Sequence, residues 1–168
     1  AGHQATSDAI NGARLIFGIN SANVPCVLPL LGADARYVPM KPFLDAAPNL
    51  ANAPETARRD LARELGLDEN GVWLLAVAMM RDDAKLNSYQ LLAEALNKLT
   101  GAAWRLVIVG DGPAEPQVRA LFAGLGAIFT GRKSSAQLDR YFRAADIFVW
   151  PAINEAYGMA ILEAAQRG

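Results

Sequence analysis

Four short apolar segments, separated by stretches with helical periodicity, constrain the fold more than any other feature of this 168-residue sequence. They occupy residues 73–78, 104–110, 127–131 and 146–150. Each is apolar almost throughout rather than alternating, which is typical of strands covered on both faces, as in a parallel sheet. The sequence therefore predicts an α/β fold, a doubly wound, Rossmann-like parallel sheet.

Helical patterns fill the intervals between these segments. Residues 88–99 place their leucines on one face, with Asn87 or Ser88 as the predicted N-cap. Pro116 in a first turn and a serine cap before Leu138 mark two later helices. Besides 88–99, the predicted helices cover residues 55–66, 114–126, 134–145 and 161–167.

The first 45 residues follow a different pattern from the rest of the chain. Strands are predicted at 13–20 and 36–39, with prolines breaking the intervals. We interpret residues 1–45 as the tail of a preceding unit, 46–57 as a Pro/Ala/Asn-rich linker and 58–168 as the main domain.

Composition excludes several classes of protein. A formal net charge of -1 argues against a nucleic-acid-binding protein that relies on a basic face. Cys26 is alone and the one histidine, His3, is near the start, so neither a zinc cluster nor a Cys/His nucleophile is predicted. No apolar segment reaches the roughly 18 residues of a membrane span, and no signal peptide is visible.

Ligands of doubly wound sheets bind outside the carboxyl ends of the strands, which draws attention to NEAYGMAILEA at 154–164. Its two glutamates, Glu155 and Glu163, stand eight residues apart in apolar surroundings. Carboxylates at a ligand cleft accept hydrogen bonds from sugar or ribose hydroxyls. The alternative is that Glu155 partners the helix dipole and Glu163 is a solvated helix residue.

Two further loops follow predicted strands. Arg81 and Lys85 are placed to neutralise a diphosphate, or to form surface ion pairs with Asp82 and Asp83. Gly110 begins the tight turn VGDGPA at 109–114, whose backbone can approach a ligand. This turn lacks the third glycine of the GxGxxG dinucleotide pattern, and an ordinary turn is the alternative.

The loop TGRKSS at 130–135 contains Arg132 and Lys133, at the cleft edge or on the open surface. Trp73, Trp104 and Trp150 are predicted to pack in the core or on the sheet. Asp82 and Asp83 are adjacent, so they do not form the DxD pair that holds a divalent metal in another class of transferase. The sequence therefore predicts no metal site.

Three segments, taken in order, resemble a known family: WRLVIVGDGP, FTGRKSSAQLDRYFRAADIFVWPA and NEAYGMAILEA. From about Val72 to Gly168 they resemble the C-terminal, nucleotide-sugar-binding half of family-4 retaining glycosyltransferases (group 1) of the GT-B fold. Two departures stand out. Ala156 and Tyr157 replace the glycine and phenylalanine that the family often has, and Met79 occupies the place of its usual arginine.

The resemblance implies a role for each matching residue. Glu155 would contact the donor sugar, Glu163 the ribose hydroxyls, and Lys85 the leaving diphosphate, with Arg81 as a substitute for the missing arginine. Backbone N–H groups of the helix start would meet the sugar and distal phosphate, namely those of Tyr157, Gly158 and Met159. The nucleoside end would be lined by Gly110, Asp111, Gly112, Pro113, Gly131 and Arg132.

The resemblance also implies an activity. The chain would be the donor-binding domain of a retaining glycosyltransferase that moves a sugar from a nucleotide-diphosphate sugar to a glycan or lipid acceptor, without a metal or other cofactor. The acceptor domain is absent except for residues 1–45, and the family continues past Gly168. We therefore expect one half of a GT-B fold, truncated at its C-terminus and inert alone.

The implied setting is bacterial polysaccharide biosynthesis in the cytoplasm, with peripheral contact at the inner face of the membrane left open. Two alternatives remain. One is a non-catalytic nucleotide-binding or scaffold module of the same fold, which Met79 favours. The other is a different Rossmann-like nucleotide enzyme such as a dehydrogenase, against which the absent GxGxxG pattern counts.

Overall fold

Parallel strands pair in both parts of the chain. The computed structural model describes residues 2–44, 54–101, 103–155 and 157–167. Contacts divide the chain into two units, Ala1–Asp45 and Ala46–Gly168. The first contains a sheet of two strands and the second a sheet of four.

The first unit pairs its two strands in parallel, with Leu15 opposite Arg36. Both predicted strands are present, although the first is shorter than predicted. The unpredicted helix α1 precedes them, and short helical turns connect them. In order, the elements are α1 (Gly2–Gly12), β1 (Leu15–Gly18), a 3-10 turn (Ser21–Asn23), α2 (Val24–Val27), a second 3-10 turn (Leu28–Leu30) and β2 (Arg36–Pro39).

The second unit is the predicted parallel sheet with helices between its strands. The strand order is β5-β4-β3-β6, and every pair is parallel. Its elements are α3 (Pro54–Leu65), β3 (Val72–Val77), α4 (Ala84–Asn97), β4 (Trp104–Val109), α5 (Glu115–Leu121), β5 (Ile128–Phe129), α6 (Ser135–Ala144), β6 (Ile147–Phe148) and α7 (Met159–Ala165).

The predicted linker meets the start of α3. Residues 46–53 lie outside the described part of the chain. Residues 54–57 are already helical, since α3 begins at Pro54. A proline fits this position, because the first turn of a helix does not require its N–H.

Alternate residues of the central strands face opposite sides of the sheet, so each face has its own core. On one side Leu74 and Ile108 pack with Tyr89 of α4 and Phe122, which follows α5. The opposite side is covered by α3 and α6. Its core consists of Leu61, Ala62, Trp73, Leu75, Val107, Val109, Tyr141, Phe142 and Ala144. Helices on both faces confirm the doubly wound arrangement.

Helix α4 starts four residues earlier than its apolar pattern predicts. The N-cap is Asp83, whose side chain accepts a hydrogen bond of 2.8 Å from the backbone N–H of Lys85. The prediction of Asn87 or Ser88 as the cap is therefore wrong. Ser88 lies inside the helix and is fully buried.

The other helix ends follow their local sequence. Ser134 caps α6 in a reciprocal capping box with Gln137, as the serine pattern predicts. Helix α5 ends at Leu121, earlier than predicted, and turns continue to Gly126, which has a φ of 62°. Glycine tolerates this left-handed conformation, so the chain reverses before β5.

A buried ion cluster ties α6 to the end of α7. The Asp139 carboxylate is fully buried and accepts hydrogen bonds from Arg143 Nε at 2.6 Å and Arg167 Nε at 2.8 Å. The Arg167 side chain is only 7% exposed, whereas that of Arg143 is 23% exposed. Both guanidinium groups therefore depend on one carboxylate for charge compensation.

Backbone pairing continues past the ends of β3 and β4. The N–H of Met80 donates to the carbonyl of Asp111 at 2.7 Å, and the N–H of Ala114 donates to the carbonyl of Met80 at 2.9 Å. Gly110 is the first residue after β4 and has a φ of 143°. A Cβ at this position would meet the Ala78 carbonyl oxygen at 2.0 Å, so only glycine fits without a shift of the backbone.

Replacing Gly110 by alanine is expected to destabilise the second unit by at least about 1–3 kcal/mol, the typical cost of a strained backbone alone. The clash with the Ala78 carbonyl adds to this cost. Urea unfolding measures the change. Gly124→Ala is the matched control, because a Cβ added at Gly124 would meet nothing within 4 Å and the φ of Gly124 is not positive. Equal midpoints for the two variants would contradict the argument.

Among the described residues, no helix has the length and apolar character needed to cross a bilayer.

Candidate functional site

A cleft of about 480 Å³ opens at the carboxyl ends of the strands in the second unit. Loops that follow β3, β4, β5 and β6 contribute to its lining, together with the start of α7. The lining residues are Val77, Ala78, Met79, Arg81, Lys85, Val109, Gly110, Asp111, Arg132, Lys133, Leu138, Trp150, Glu155, Tyr157, Gly158, Met159, Ala160 and Glu163. The cleft is where the doubly wound sheet predicts a ligand.

Lys85 reaches the cleft because Asp83 starts α4 just before it. Asp83 also pairs with Arg81, whose Nε lies 3.1 Å from Asp83 Oδ2, and both side chains are about half exposed. Arg81 thus forms the surface ion pair that was the alternative for this loop. Met79 is 54% exposed and adds an apolar side chain to the lining.

Lys85 and Glu155, seventy residues apart in sequence, form a direct ion pair inside the cleft. Their side chains are only 15% and 21% exposed. The indole Nε1 of Trp150 donates a second hydrogen bond to Glu155 Oε2 at 3.3 Å. The Lys85 ammonium also lies 5.6 Å from the centre of the Trp150 ring. Oε2 of Glu155 therefore accepts hydrogen bonds from both Lys85 and Trp150.

Charge compensation decides the titration of this carboxyl group. Burial of Glu155 favours the neutral acid, but hydrogen bonds from Lys85, Trp150 and the Gly158 backbone, together with the Lys85 charge, outweigh it. The pKa of Glu155 therefore lies below its ordinary value. At neutral pH the pair consists of a carboxylate and an ammonium group in contact.

Helix α7 brings the second glutamate of the motif to the same cleft. Gly158 is its N-cap, with a left-handed φ of 65°. Glu163 lies in the helix and is half-buried at the cleft wall. Tyr157 also lines the cleft, and its hydroxyl is shielded from solvent without a hydrogen-bond partner among the described residues. Both glutamates thus belong to one site.

Only part of the predicted nucleoside end lies at the cleft. Gly110, Asp111 and Arg132 line it, whereas Gly112, Pro113 and Gly131 are outside its lining. The two glycines have structural contacts instead. A Cβ on Gly112 would meet the Met80 carbonyl oxygen at 2.3 Å, and the Gly131 carbonyl accepts a bond of 3.0 Å from the Gly110 N–H.

Two further residues line the cleft, and the sequence assigned one of them, Trp150, elsewhere. Trp150 was predicted to pack in the core or on the sheet, yet it also contacts Glu155 in the cleft. Its position next to Pro151, at the end of an apolar segment, was the available signal. Lys133 lines the cleft as well and lies 5.9 Å from the centre of the Tyr141 ring. By contrast, Trp73 is buried in the core as predicted.

Within residues 2–44, 54–101, 103–155 and 157–167, no group of three or more His, Cys, Asp or Glu side chains is arranged to hold a metal ion.

Comparisons with known proteins identify the family. The family described as Glycosyl transferases group 1 matches residues 71–168, more than half of the chain. A sulfoquinovosyl transferase of Arabidopsis thaliana is 36% identical over 81 residues, which is 48% of this chain and 16% of that protein. A putative teichuronic acid biosynthesis glycosyltransferase of Bacillus subtilis is 27% identical over 161 residues, or 96% of this chain and 38% of that protein.

A solved structure has the same fold. The Anabaena protein Alr3699/HepE, determined in complex with UDP and glucose, matches 99% of this chain and 48% of its own with a TM-score of 0.69 at 14% identity. The chain therefore spans less than half the length of these relatives. The matched segment carries the sheet and the cleft described above, and the chain belongs to the group 1 glycosyl transferases.

Proposed function

We propose that this chain is the donor-binding half of a retaining, family-4-type glycosyltransferase, the C-terminal half of a GT-B enzyme. It would bind a nucleotide-diphosphate sugar and present the sugar for transfer to an acceptor. The observation that carries the proposal is the convergence of Lys85, Glu155 and Glu163 on one cleft at the carboxyl edge of the sheet.

The cleft has the chemistry that a nucleotide sugar requires. Glu163 offers a half-buried carboxylate, which suits the vicinal hydroxyls of a ribose. Gly110, Asp111 and Arg132 line the same cleft and would contact the nucleoside. Apolar side chains such as Met79 supply surface against the ring systems of the ligand.

Glu155 and Lys85 would act at the reacting end. As the bond between the sugar C1 and the phosphate oxygen breaks, the electron pair passes to the diphosphate. Lys85 would neutralise that charge, while Glu155 accepts hydrogen bonds from sugar hydroxyls near C1. Lys85 and Glu155 contact each other in the cleft, so the donor would share Lys85 with the carboxylate. Arg81 would supply a second positive charge at the cleft.

Fixed cations and backbone N–H groups would stabilise the leaving diphosphate, so the proposed reaction uses no metal ion. The product would keep the anomeric configuration of the donor. Retention and inversion are distinguished by proton NMR of the product. The enzyme used would contain this chain and an acceptor-binding half.

We also propose that the chain alone does not transfer sugar, because its cleft would bind only the donor.

Calorimetric titration of this chain with UDP, GDP, ADP and their sugar conjugates tests the donor site. We expect one nucleotide to bind equally with magnesium and with a chelator. Glu163→Ala should weaken that binding roughly 10- to 100-fold, since hydrogen bonds to a charged group are worth about 1.5–3 kcal/mol.

Glu94→Ala is the matched control, because Glu94 is exposed on α4 and is not part of the cleft lining. It should leave the affinity unchanged. Equal affinities for wild type and Glu163→Ala would exclude the ribose role of Glu163. Binding only in the presence of magnesium would exclude the metal-free mechanism.

A non-catalytic nucleotide-binding module is the second candidate, and Met79 is the observation that favours it. The position that carries an arginine in the resembling family here holds an uncharged side chain, and Arg81 is already paired with Asp83. The two candidates separate in an assay of sugar transfer by a protein that contains both halves. Donor binding without transfer would support the module.

The names of the relatives bear on the acceptor. The Bacillus subtilis protein is named for teichuronic acid biosynthesis and the Arabidopsis protein for sulfoquinovosyl transfer. We propose that the acceptor here is a glycan or a lipid, in a bacterial polysaccharide pathway. The reaction would take place in the cytoplasm, with a lipid acceptor reached at the inner face of the membrane.

A further inference from the structure

The loop between β6 and α7 holds two residues in an unusual backbone conformation. Ala152 has a φ of 56° and Asn154 a φ of 50°, both in the left-handed region. Asparagine tolerates this region, but alanine is strained there, because its Cβ crowds the backbone. Glu155 follows at once, so its position depends on a segment that requires support from its surroundings.

Ser88 of α4 provides a contact to this loop. Its side chain is fully buried, and its hydroxyl donates to the Ala84 carbonyl at 3.0 Å. The same oxygen accepts a hydrogen bond of 3.0 Å from the backbone N–H of Ile153, between the two left-handed residues. With Ser88 fully buried, solvent does not readily substitute for its hydroxyl, and a lost acceptor would leave the Ile153 N–H unsatisfied.

Helix α4 therefore contacts the loop at two points, one turn apart. Lys85 bonds to the Glu155 side chain, and Ser88 bonds to the backbone of Ile153. The serine bond joins two uncharged groups, so it does not depend on ionisation. It can keep the loop in place when a donor draws Lys85 away from Glu155.

We propose that Ser88 is a positioning residue, whose hydroxyl holds the strained 152–154 loop and thereby keeps the Glu155 carboxylate against Lys85. The importance of this contact for sugar transfer rests on the proposed function. The contact itself is tested on the chain without any ligand.

The test follows the Glu155 carboxyl group by carbon-13 NMR across a pH series in wild type and Ser88→Ala. In the variant the loop relaxes, the carboxylate withdraws from Lys85, and the pKa of Glu155 should rise toward its ordinary value. The other charged groups of the cleft are the same in both proteins, namely Arg81, Asp111, Arg132, Lys133 and Glu163. A serine that served only the stability of α4 would lower the melting temperature without moving this titration.

A second substitution separates positioning from simple packing. Ala152→Gly removes the strain that the hydroxyl opposes, since glycine adopts a positive φ freely. Added to Ser88→Ala, it should return the pKa of Glu155 toward the wild-type position. Ser7→Ala is the matched control, because Ser7 makes the same local bond to the carbonyl four residues earlier, in the first unit.

Binding provides an independent readout. Ser88→Ala should weaken binding of the sugar conjugate about tenfold relative to binding of the free nucleoside diphosphate, because Glu155 would contact only the sugar. Wild-type protein that binds no nucleotide sugar would refute the proposed function, and the titration would still decide the role of Ser88. An unchanged Glu155 titration in Ser88→Ala, or a shift that Ala152→Gly does not reverse, overturns the inference.

Discussion

Replacement of Asp139 by asparagine is expected to lower the free energy of unfolding by about 3–5 kcal/mol, the usual loss when one partner of a buried ion pair is removed. The substitution keeps the shape of the side chain but removes its charge. Arg143 and Arg167 would then both lose the carboxylate that they contact, and the Arg167 side chain is only 7% exposed. The variant should unfold at a distinctly lower urea concentration.

The matched control for this prediction is Asp60→Asn. Asp60 also pairs with an arginine, Arg63, but the atoms are 4.0 Å apart and the Asp60 side chain is 51% exposed. Exposed pairs contribute about 0–1 kcal/mol, so the control should change little. If both variants unfold at the same urea concentration, the buried cluster does not stabilise the fold as argued.

Replacement of Lys85 by methionine should reduce sugar transfer by about 10²–10³-fold, the typical loss when one group that stabilises developing charge is removed. The methionine keeps an unbranched side chain without the ammonium group. The loss should be mainly in kcat, because the negative charge on the diphosphate grows as the bond to the sugar breaks. Transfer is measured with a protein that combines this chain with an acceptor-binding half.

Lys98→Met is the control for the Lys85 variant, because Lys98 is exposed at the far end of the same helix. Equal rates of sugar transfer for the two variants would show that Lys85 has no role in the reaction.

The pH dependence of stability offers a second test of Lys85. The lowered pKa of Glu155 means that the pair stabilises the fold above the unfolded pKa, and this contribution is lost as the pH falls through the folded pKa. Lys85→Met should weaken this pH dependence.

Sequence patterns predicted the second unit well where a strand is buried on both faces. Residues 73–78 and 104–110 are apolar almost throughout, and they form the two central strands. Their flanking helices follow from spacing and from caps such as Ser134. The strands near the sheet edges are shorter than their apolar segments, with β6 limited to Ile147–Phe148. Tertiary pairing, which the sequence does not display, determines where such strands end.

Sequence motifs pointed to loops that line the cleft, but they did not predict the contacts within it. Sequence placed Lys85 and Glu155 in separate loops and gave no reason to pair them, because the contact bridges seventy residues. The sequence predicted that the backbone at Gly112 can approach a ligand, and it did not show that Gly112 also packs closely against the Met80 backbone. Ser88 was considered only as a helix cap, since a hydroxyl inside a helix gives no sign of a distant backbone partner.

The backbone bonds that continue beyond β3 and β4 have a consequence for how such a site can diversify. Met80, Gly110 and Gly112 are restricted by those bonds and close contacts. Their neighbours Met79 and Asp111 line the cleft. A substitution at position 79 or 111 can therefore change the contacts offered to a ligand while the backbone bonds beneath it stay in place.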